Sequence, residues 1–144
     1  METDLQKAID FATLCHKGQK RRDGRDYIEH PLEVMRMVPD ELKIVAVLHD
    51  TIEDTTCFYD IKSGTLNFKN NTYRLSYKEA SILDSLTRTK DETYIDYIQK
   101  ICNSVYTEAR IIKIADTVCN LLDSPSDRQR VKYRESMKIL LGGI

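Results

Sequence analysis

Apolar side chains recur at intervals of three and four residues over most of the chain, which is the spacing of an amphipathic helix. The first such run follows Thr3 and Gln6, which form a capping-box pattern, and it ends before Gly18. Pro31 has the position of a first-turn proline in a second helix, and Pro39 ends that helix. The pattern predicts helices over residues 4–16, 30–38, 40–50, 77–86, 90–102, 105–122 and 127–141.

Two neighbouring segments depart from this amphipathic pattern in opposite ways. The helix predicted over 40–50 is apolar on nearly every side between Leu42 and Leu48, so we expect it to be central and buried. Between Cys57 and Leu75 the helical period disappears, and two β-prone runs predict a β-hairpin near residues 65–75. The expected fold is therefore all-α, a compact helical bundle with one short hairpin insertion, in a single domain over residues 1–144.

Composition restricts the partners that we expect for this domain. Lys and Arg number 22 against 23 Asp and Glu, and a net charge of −1 offers no global attraction to nucleic acid or to an anionic membrane. No apolar run is long enough to cross a bilayer, and residues 1–10 carry acids where a secretory signal needs bases and an apolar stretch. The four cysteines lack paired spacing, which favours free thiols over disulfides or zinc. We expect a cytoplasmic protein.

The dipeptide His49-Asp50 closes the most apolar helix of the chain, where water is scarce. A buried charge is costly unless it is paired, hydrogen-bonded or bound to a metal, and Glu53 and Asp54 add two more acids within one turn. Acids this close repel one another unless a cation or protonation relieves them. A His-Asp dipeptide alone is common by chance, so a metal site needs further support.

His30 and Asp116 provide ligand-type side chains in similar settings. His30 stands beside Pro31 at a helix start, and Asp116 lies within an apolar helical run. Simpler interpretations are open for both residues: His30 as a helix cap, and Asp116 as the ion-pair partner of Lys113, three residues earlier.

Five short motifs, in a fixed order along residues 5–122, carry a family resemblance. They are Ala12-x3-His16-x-Gly18-Gln19-x-Arg21-Arg22-Asp23-Gly24, Tyr27-Ile-x-His30-Pro31-Leu32-x-Val34, Leu48-His49-Asp50-x2-Glu53-Asp54-Thr55, Leu86-Thr87-Arg88 and Lys113-x-Ala115-Asp116-x3-Asn120-Leu121. This series resembles the HD-superfamily hydrolase domain of the RelA/SpoT type, a family that includes the stand-alone small alarmone hydrolases. The closing Arg130-Val-Lys-Tyr133-Arg134 is similar to the last helix of short phosphohydrolases in this group. The resemblance implies the HD-domain helical bundle.

The resemblance also implies one divalent ion per chain, typically Mn²⁺. Its ligands are implied to be His30, His49, Asp50 and Asp116. Two imidazoles and two carboxylates suit manganese, because hard oxygen ligands favour it and a closed zinc site more often uses thiolates. In the family, the acids that match Glu53 and Asp54 orient or deprotonate the attacking water and assist the leaving group. We therefore expect Glu53 and Asp54 to be catalytic.

Substrate-binding residues follow from the same resemblance. They are implied to be Arg21, Arg22, Lys113 and Asn120. A guanidinium group can stack on a base or form paired bonds to a phosphate, although the basic loop that contains both arginines also fits a solvated surface. Asn120 equally fits a buried structural amide.

Three other residues of interest receive supporting or packing roles. His16 belongs to the family motif but not to its ligand set, so we expect it to support the site. Tyr94 and Tyr97 follow Thr89 in a predicted helix, where tyrosines fit packing better than base stacking.

The expected function is that of a metal-dependent nucleotide phosphohydrolase acting on a small-molecule substrate. The resemblance favours a (p)ppGpp 3′-pyrophosphohydrolase that releases pyrophosphate and leaves GDP or GTP. Two alternatives stay open: the same chemistry on NADPH 2′-phosphate or a deoxynucleotide, and a nucleotide- or partner-binding module without turnover. Residues 56–77 depart from the family pattern, and a lid or an altered pocket wall in this segment would change the substrate rather than the reaction type. A homo-oligomer is compatible with the sequence.

Overall fold

The computed structural model of the chain describes residues 2–142. Helices dominate it, and a small sheet lies between the fourth and fifth of them. The elements are α1 (Asp4–Cys15), α2 (Glu29–Arg36), α3 (Lys43–Leu48), α4 (Thr51–Asp54), β1 (Phe58–Asp60), β2 (Thr65–Phe68), β3 (Asn71–Arg74), α5 (Tyr77–Leu86), α6 (Tyr94–Cys102), α7 (Thr107–Leu122) and α8 (Asp127–Leu141).

The centre of the molecule is α3, as its apolar sequence predicts. Residues Val45 to Leu48 are each at most 3% exposed, and α3 packs against α1, α2 and α5. The long α7 contacts α2, α5, α6 and α8 and closes the other side of the core. Every helix face that reaches the core carries the apolar residues of its sequence pattern. The helical bundle with an inserted β element is confirmed.

The prediction of one continuous helix over 40–50 is wrong. Residues Asp40–Leu42 form a 3₁₀ turn, α3 ends at Leu48, and a new short helix, α4, begins at Thr51. The Thr51 hydroxyl donates to the Leu48 carbonyl at 2.8 Å, so a side chain takes a carbonyl that a longer helix would have used. His49 and Asp50 therefore lie in a turn rather than within a helix.

The predicted hairpin is confirmed as β2 and β3, but it is part of a three-stranded antiparallel sheet. The strand β1 pairs with β2 and was missed, because three residues of mixed exposure carry no readable alternation. Leu66 and Tyr73 face each other across β2 and β3 and are both buried. The Tyr73 hydroxyl donates to the Asp4 carbonyl at 3.2 Å, which fastens the sheet to α1.

The start of α6 differs from the prediction. The carboxylate of Glu92 accepts the Thr89 backbone N–H at 3.0 Å, as a capping box requires, yet these residues form only a turn. Thr93 caps the helix instead, because its hydroxyl accepts the Asp96 N–H at 3.1 Å. A capping pattern thus marks a local bond and does not by itself start a helix.

Two further helices differ slightly from the prediction: α2 covers Glu29–Arg36 rather than residues 30–38, and α7 begins at Thr107 rather than at residue 105. The capping boxes of Ser76 with Glu79 and of Ser126 with Gln129 both form, and they start α5 and α8.

The four cysteines are free thiols, as predicted. Over residues 2–142, every helix lacks either the length or the apolar character needed to cross a membrane.

Candidate metal centre and substrate cavity

Four side chains from three parts of the fold meet in the interior. His30 comes from α2, His49 and Asp50 from the turn after α3, and Asp116 from α7. One ligand atom of each lies within 4.8 Å of the others. His30 Nε2 and His49 Nε2 lie 2.8 Å and 3.2 Å from the same Asp116 oxygen, Oδ1. The predicted ligand set is therefore brought together.

The orientation of His49 is fixed from behind. Its Nδ1 lies 2.6 Å from the Ala46 carbonyl oxygen, which can only accept, so Nδ1 carries the hydrogen. In the neutral ring, Nε2 then presents a lone pair to carboxylate oxygens of Asp50 and Asp116, at 3.1 Å and 3.2 Å. Lone pairs that face one another repel, and a cation between them removes that repulsion.

The charges of the cluster also fit a cation. Burial favours the neutral acids, but His49 holds the pKa of Asp50 at about 2, and the Lys113 ammonium keeps the pKa of Asp116 well below its usual range. Burial would lower the pKa of His49, yet the Asp50 and Asp116 carboxylates hold it well above its ordinary value. Two ionised carboxylates thus stabilise positive charge at the imidazole, as they would a divalent ion. Imidazole and carboxylate are both ordinary ligands of such ions.

The helix-cap interpretation of His30 is wrong. The residue that caps α2 is Ile28, without a side-chain bond, and the His30 ring faces Asp116 instead. The interpretation of Asp116 as the partner of Lys113 is correct at the same time as its membership of the cluster, because Lys113 Nζ lies 2.8 Å from Asp116 Oδ2. Asp116 uses one oxygen for the imidazoles and the other for the ammonium.

Two acids flank the cluster on α4. The Tyr27 hydroxyl lies 2.7 Å from Asp50 Oδ2 and 3.1 Å from Asp54 Oδ2, so one hydrogen is shared between the two carboxylates. The Glu53 carboxylate accepts the backbone N–H of Arg88. Burial raises the pKa of both Glu53 and Asp54, and the nearby Asp50 charge raises it further. Both acids can hold a proton more readily than an exposed carboxyl group.

A second support reaches Asp54 through its backbone. The Gln19 amide N–H donates to the Asp54 carbonyl at 2.6 Å, and the Gln19 side-chain oxygen lies 2.8 Å from His16 Nδ1. His16 is 2% exposed and burial lowers its pKa, so the ring is neutral and Nδ1 donates to Gln19. We call His16, Gln19 and the Asp54 carbonyl the glutamine clamp. His16 is outside the metal cluster and supports a neighbouring acid.

The two arginines of the basic loop have different surroundings. The Arg21 side chain is 3% exposed and lies between Glu33 at 3.3 Å and Asp123 at 2.8 Å. Arg22 is exposed and lines a cavity of about 180 Å³, together with Asn120 and His30. Arg21 lines the same cavity, but its guanidinium is already held by acids. Lys113, the fourth residue predicted to bind substrate, lines a second cavity.

A second cavity, of about 290 Å³, lies directly over the metal cluster and the acids of α4. One wall carries Asp50, Glu53, Asp54 and Asp116. The rest of the lining, which we call the cationic wall, carries cations and tyrosines, namely Arg88, Lys113, Lys132, Tyr94 and Tyr133. Tyr97 also lines the cavity but is 4% exposed, and its hydroxyl donates to the Leu86 carbonyl at 2.6 Å, as packing predicts.

Sequence reasoning gave no site role to Tyr27, Arg88, Lys132 or Tyr133. Each of them stands within a segment that carries the family resemblance, which was the available signal. They come from the loop before α2, the segment after α5 and the helix α8, and no short-range spacing shows that these distant segments meet at one cavity.

Several known proteins are similar to this chain in sequence. Guanosine-3′,5′-bis(diphosphate) 3′-pyrophosphohydrolase MESH1 of Mus musculus is 34% identical over 128 residues, which cover 83% of this chain and 68% of the mouse protein. The Homo sapiens protein of that name gives the same identity and coverage. A Spiroplasma citri guanosine-3′,5′-bis(diphosphate) 3′-pyrophosphohydrolase is 30% identical over 147 residues, which cover 94% of this chain and 19% of that protein. No protein-family model matches the chain.

A solved structure supports the fold independently. It is described as a metazoan ortholog of SpoT that hydrolyzes ppGpp and plays a role in starvation responses. It superposes with a TM-score of 0.75 over 99% of this chain and 85% of that chain, at 18% sequence identity. The likeness shows that the two chains share a helical architecture.

Proposed function

The chain belongs to the RelA/SpoT family of HD-type hydrolases, and from this premise we propose that it removes the 3′-pyrophosphate from guanosine 3′,5′-bis(diphosphate). The observation that carries the proposal is the cluster of His30, His49, Asp50 and Asp116, three members of which line one cavity together with two further acids. The named activity of the MESH1 relatives, which are two-thirds covered by the chain, supports the same reaction.

The cluster is proposed to hold one divalent ion, Mn²⁺. Two imidazole nitrogens and two carboxylate oxygens form a donor set suited to manganese. A bound ion would lower the pKa of a coordinated water and withdraw charge from the phosphorus under attack.

Glu53 and Asp54 are proposed to move the protons of the reaction. Asp54 is held by Tyr27 and by the glutamine clamp, so its carboxylate is oriented to take a proton from the attacking water. The 3′ oxygen of the sugar needs a proton as its bond to phosphorus breaks. Glu53 suits that role because burial raises its pKa.

The nucleotide is proposed to extend from the cluster into the smaller cavity. Arg22 and Asn120 line that cavity and are free to contact a base or ribose. Lys113 lies beside the reacting phosphate because its ammonium is bonded to Asp116. Arg21 is proposed to act through the loop that it anchors to Glu33 and Asp123.

The test is product analysis by chromatography with purified protein, Mn²⁺ and guanosine 3′,5′-bis(diphosphate). We expect GDP and pyrophosphate in equal amounts. Glu53→Gln should lower kcat by about 10²- to 10⁴-fold while manganese binding persists. The matched control is Glu135→Gln on α8, an exposed acid paired with Lys138, and it should behave as wild type.

Three results would contradict the proposal. They are an intact substrate, release of inorganic phosphate from the 5′ end, and faster turnover of NADPH or a deoxynucleotide under the same assay conditions. Binding of the nucleotide without turnover, unaffected by Glu53→Gln, would indicate a binding module instead.

A further inference from the structure

The cationic wall of the larger cavity contains charges that the protein does not neutralise. Among residues 2–142, the Lys132 ammonium has no carboxylate within 4.0 Å, and the Arg88 guanidinium bonds only the Glu92 backbone carbonyl, at 3.1 Å. Both line the cavity with the metal cluster. Two cations that line one cavity without a carboxylate partner form a candidate site for an anion.

These cations converge on one ring. The Lys132 ammonium lies 4.2 Å from the ring centre of Tyr94, the Arg88 guanidinium carbon 5.7 Å and the Lys113 ammonium 6.0 Å. Three positive groups near one ring repel one another, and the attraction of each to the ring offsets part of that repulsion. Burial lowers the pKa of Lys132, and the charges of Lys113 and Arg88 lower it further. A bound anion would relieve this repulsion.

A second observation points to a ligand in the same place. The hydroxyl of Tyr94 is buried, yet no described residue accepts or donates a hydrogen bond to it. A buried hydroxyl without a partner is costly, and native proteins usually satisfy such groups. An oxyanion held by the cations could accept that hydrogen.

The subsite adjoins the metal cluster through Lys113. Its ammonium lies 2.8 Å from Asp116 Oδ2 on one side and 6.0 Å from the Tyr94 ring centre on the other. Glu53 joins the two places as well, because it accepts the Arg88 backbone N–H. A group with two linked phosphates could therefore place one at the cluster and the other against the cationic wall.

We propose that Arg88, Lys132 and the Tyr94 hydroxyl form a subsite for the outer phosphate of the 3′-diphosphate, while the inner phosphate lies at the metal cluster. This inference rests on the proposed function. Water adds its oxygen to the inner phosphorus, the bond from that phosphorus to the 3′ oxygen breaks, and the 3′ oxygen takes a proton. Both phosphates leave together as pyrophosphate. The subsite thereby selects diphosphate esters over monophosphate esters.

The kinetic test compares two substrates that differ only in the outer phosphate: guanosine 3′,5′-bis(diphosphate) and guanosine 5′-diphosphate 3′-monophosphate. Wild type should prefer the 3′-diphosphate in kcat/KM. Lys132→Met keeps an unbranched side chain of similar bulk and removes the charged group, so the preference should fall about 10- to 100-fold. Lys138→Met, on the same helix but paired with Glu135 and 74% exposed, is the control and should retain the preference.

A binding test uses a readout other than turnover. Calorimetry with inorganic pyrophosphate on manganese-loaded protein should give a Kd about tenfold higher in Lys132→Met than in wild type. Inorganic phosphate should show a smaller difference, because it cannot reach the cluster and the wall together. An unchanged pyrophosphate Kd and an unchanged substrate preference would overturn the subsite while leaving the proposed function intact. If wild type hydrolysed neither ester, the proposed function would fail, and the pyrophosphate titration would still decide the subsite.

Discussion

The two walls of the larger cavity are built in opposite ways. On the acidic wall, buried charges are already paired: Asp116 meets two imidazoles with one oxygen and the Lys113 ammonium with the other. On the cationic wall, Lys132 and the Tyr94 hydroxyl have no polar partner among residues 2–142. The difference indicates that the side chains of the acidic wall are held by one another around a cation site, whereas Lys132 and the Tyr94 hydroxyl of the cationic wall are left for an anionic ligand to complete.

This contrast has an energetic consequence. Removing one member of a buried, paired network leaves the other members unpaired, which costs several kcal/mol. Removing a group that has no partner costs little, because nothing else loses a bond. Substitutions on the two walls should therefore affect stability differently even where both lower activity.

The largest effect is expected from Asp116→Ala. It removes a carboxylate that both imidazoles and Lys113 share, so manganese binding should be lost and kcat/KM should fall below about a thousandth of wild type. The unpaired Lys113 should also lower the free energy of unfolding by about 3–5 kcal/mol. Calorimetry with Mn²⁺ and urea denaturation measure the two effects. Asp84→Ala on α5, an exposed acid, is the control, and full activity of Asp116→Ala at trace metal would refute the ligand assignment.

A smaller effect is expected from Tyr27→Phe. The change removes the hydroxyl shared by Asp50 and Asp54, so both carboxylates lose orientation while the four ligands remain. Loss of such a supporting bond typically costs about 10- to 100-fold in metal affinity or activity. Manganese titration and initial rates should reveal it, with Tyr77→Phe, at a tyrosine that is 84% exposed, as the control. An unchanged rate would show that Tyr27 only fills space.

The acidic wall could be predicted from the sequence to a large extent, whereas on the cationic wall only Lys113 was identified as a substrate-binding residue, through the family motif. His49-Asp50 follows a run of apolar residues, and Asp116 interrupts another. At both places the sequence puts an ionisable group at a position predicted to be buried, which indicated a site. Arg88 and Lys132 stand on exposed, polar stretches that look like ordinary surface. Their meeting at one cavity requires the segment between α5 and α6 to approach α8, a long-range packing that no local pattern contains.

The same limit explains the errors in the elements. Thr89 and Glu92 form the bond that their spacing predicts, but the helix starts four residues later, where the Thr93 hydroxyl accepts the Asp96 N–H. The local spacing does not show which of the two pairs begins the helix. The break between α3 and α4 at His49 could not be predicted either, because the local pattern is compatible with a continuous helix. Apolar residues on every side of α3 are compatible with helix up to Asp50, and only the bond from Thr51 to Leu48 shows where it ends.

A more modest effect is expected from Gln19→Ala, which opens the glutamine clamp. The Asp54 carbonyl loses its donor and the buried His16 loses its acceptor, although the Asp54 carboxylate keeps Tyr27. We expect kcat to fall about tenfold with KM little changed, because the clamp positions an acid and does not touch the substrate. Gln99→Ala, at an exposed position on α6, is the matched control. A rise in KM without a change in kcat would place Gln19 at the substrate instead.

The smallest effect, and the sharpest test of the contrast, is the stability change in Tyr94→Phe. On the acidic wall a lost group should destabilise the fold, but here the lost hydroxyl is buried without a partner. Its removal relieves an unmet hydrogen bond, so the free energy of unfolding should stay the same or rise by up to about 1 kcal/mol. Turnover of the 3′-diphosphate should nevertheless fall, because the outer phosphate loses a donor. Thermal melts and kcat/KM on the same preparation would thus move in opposite directions, as expected when a protein keeps an unsatisfied group for its ligand. A destabilised Tyr94→Phe would mean that the hydroxyl already has a structural role, and the two walls would then be alike.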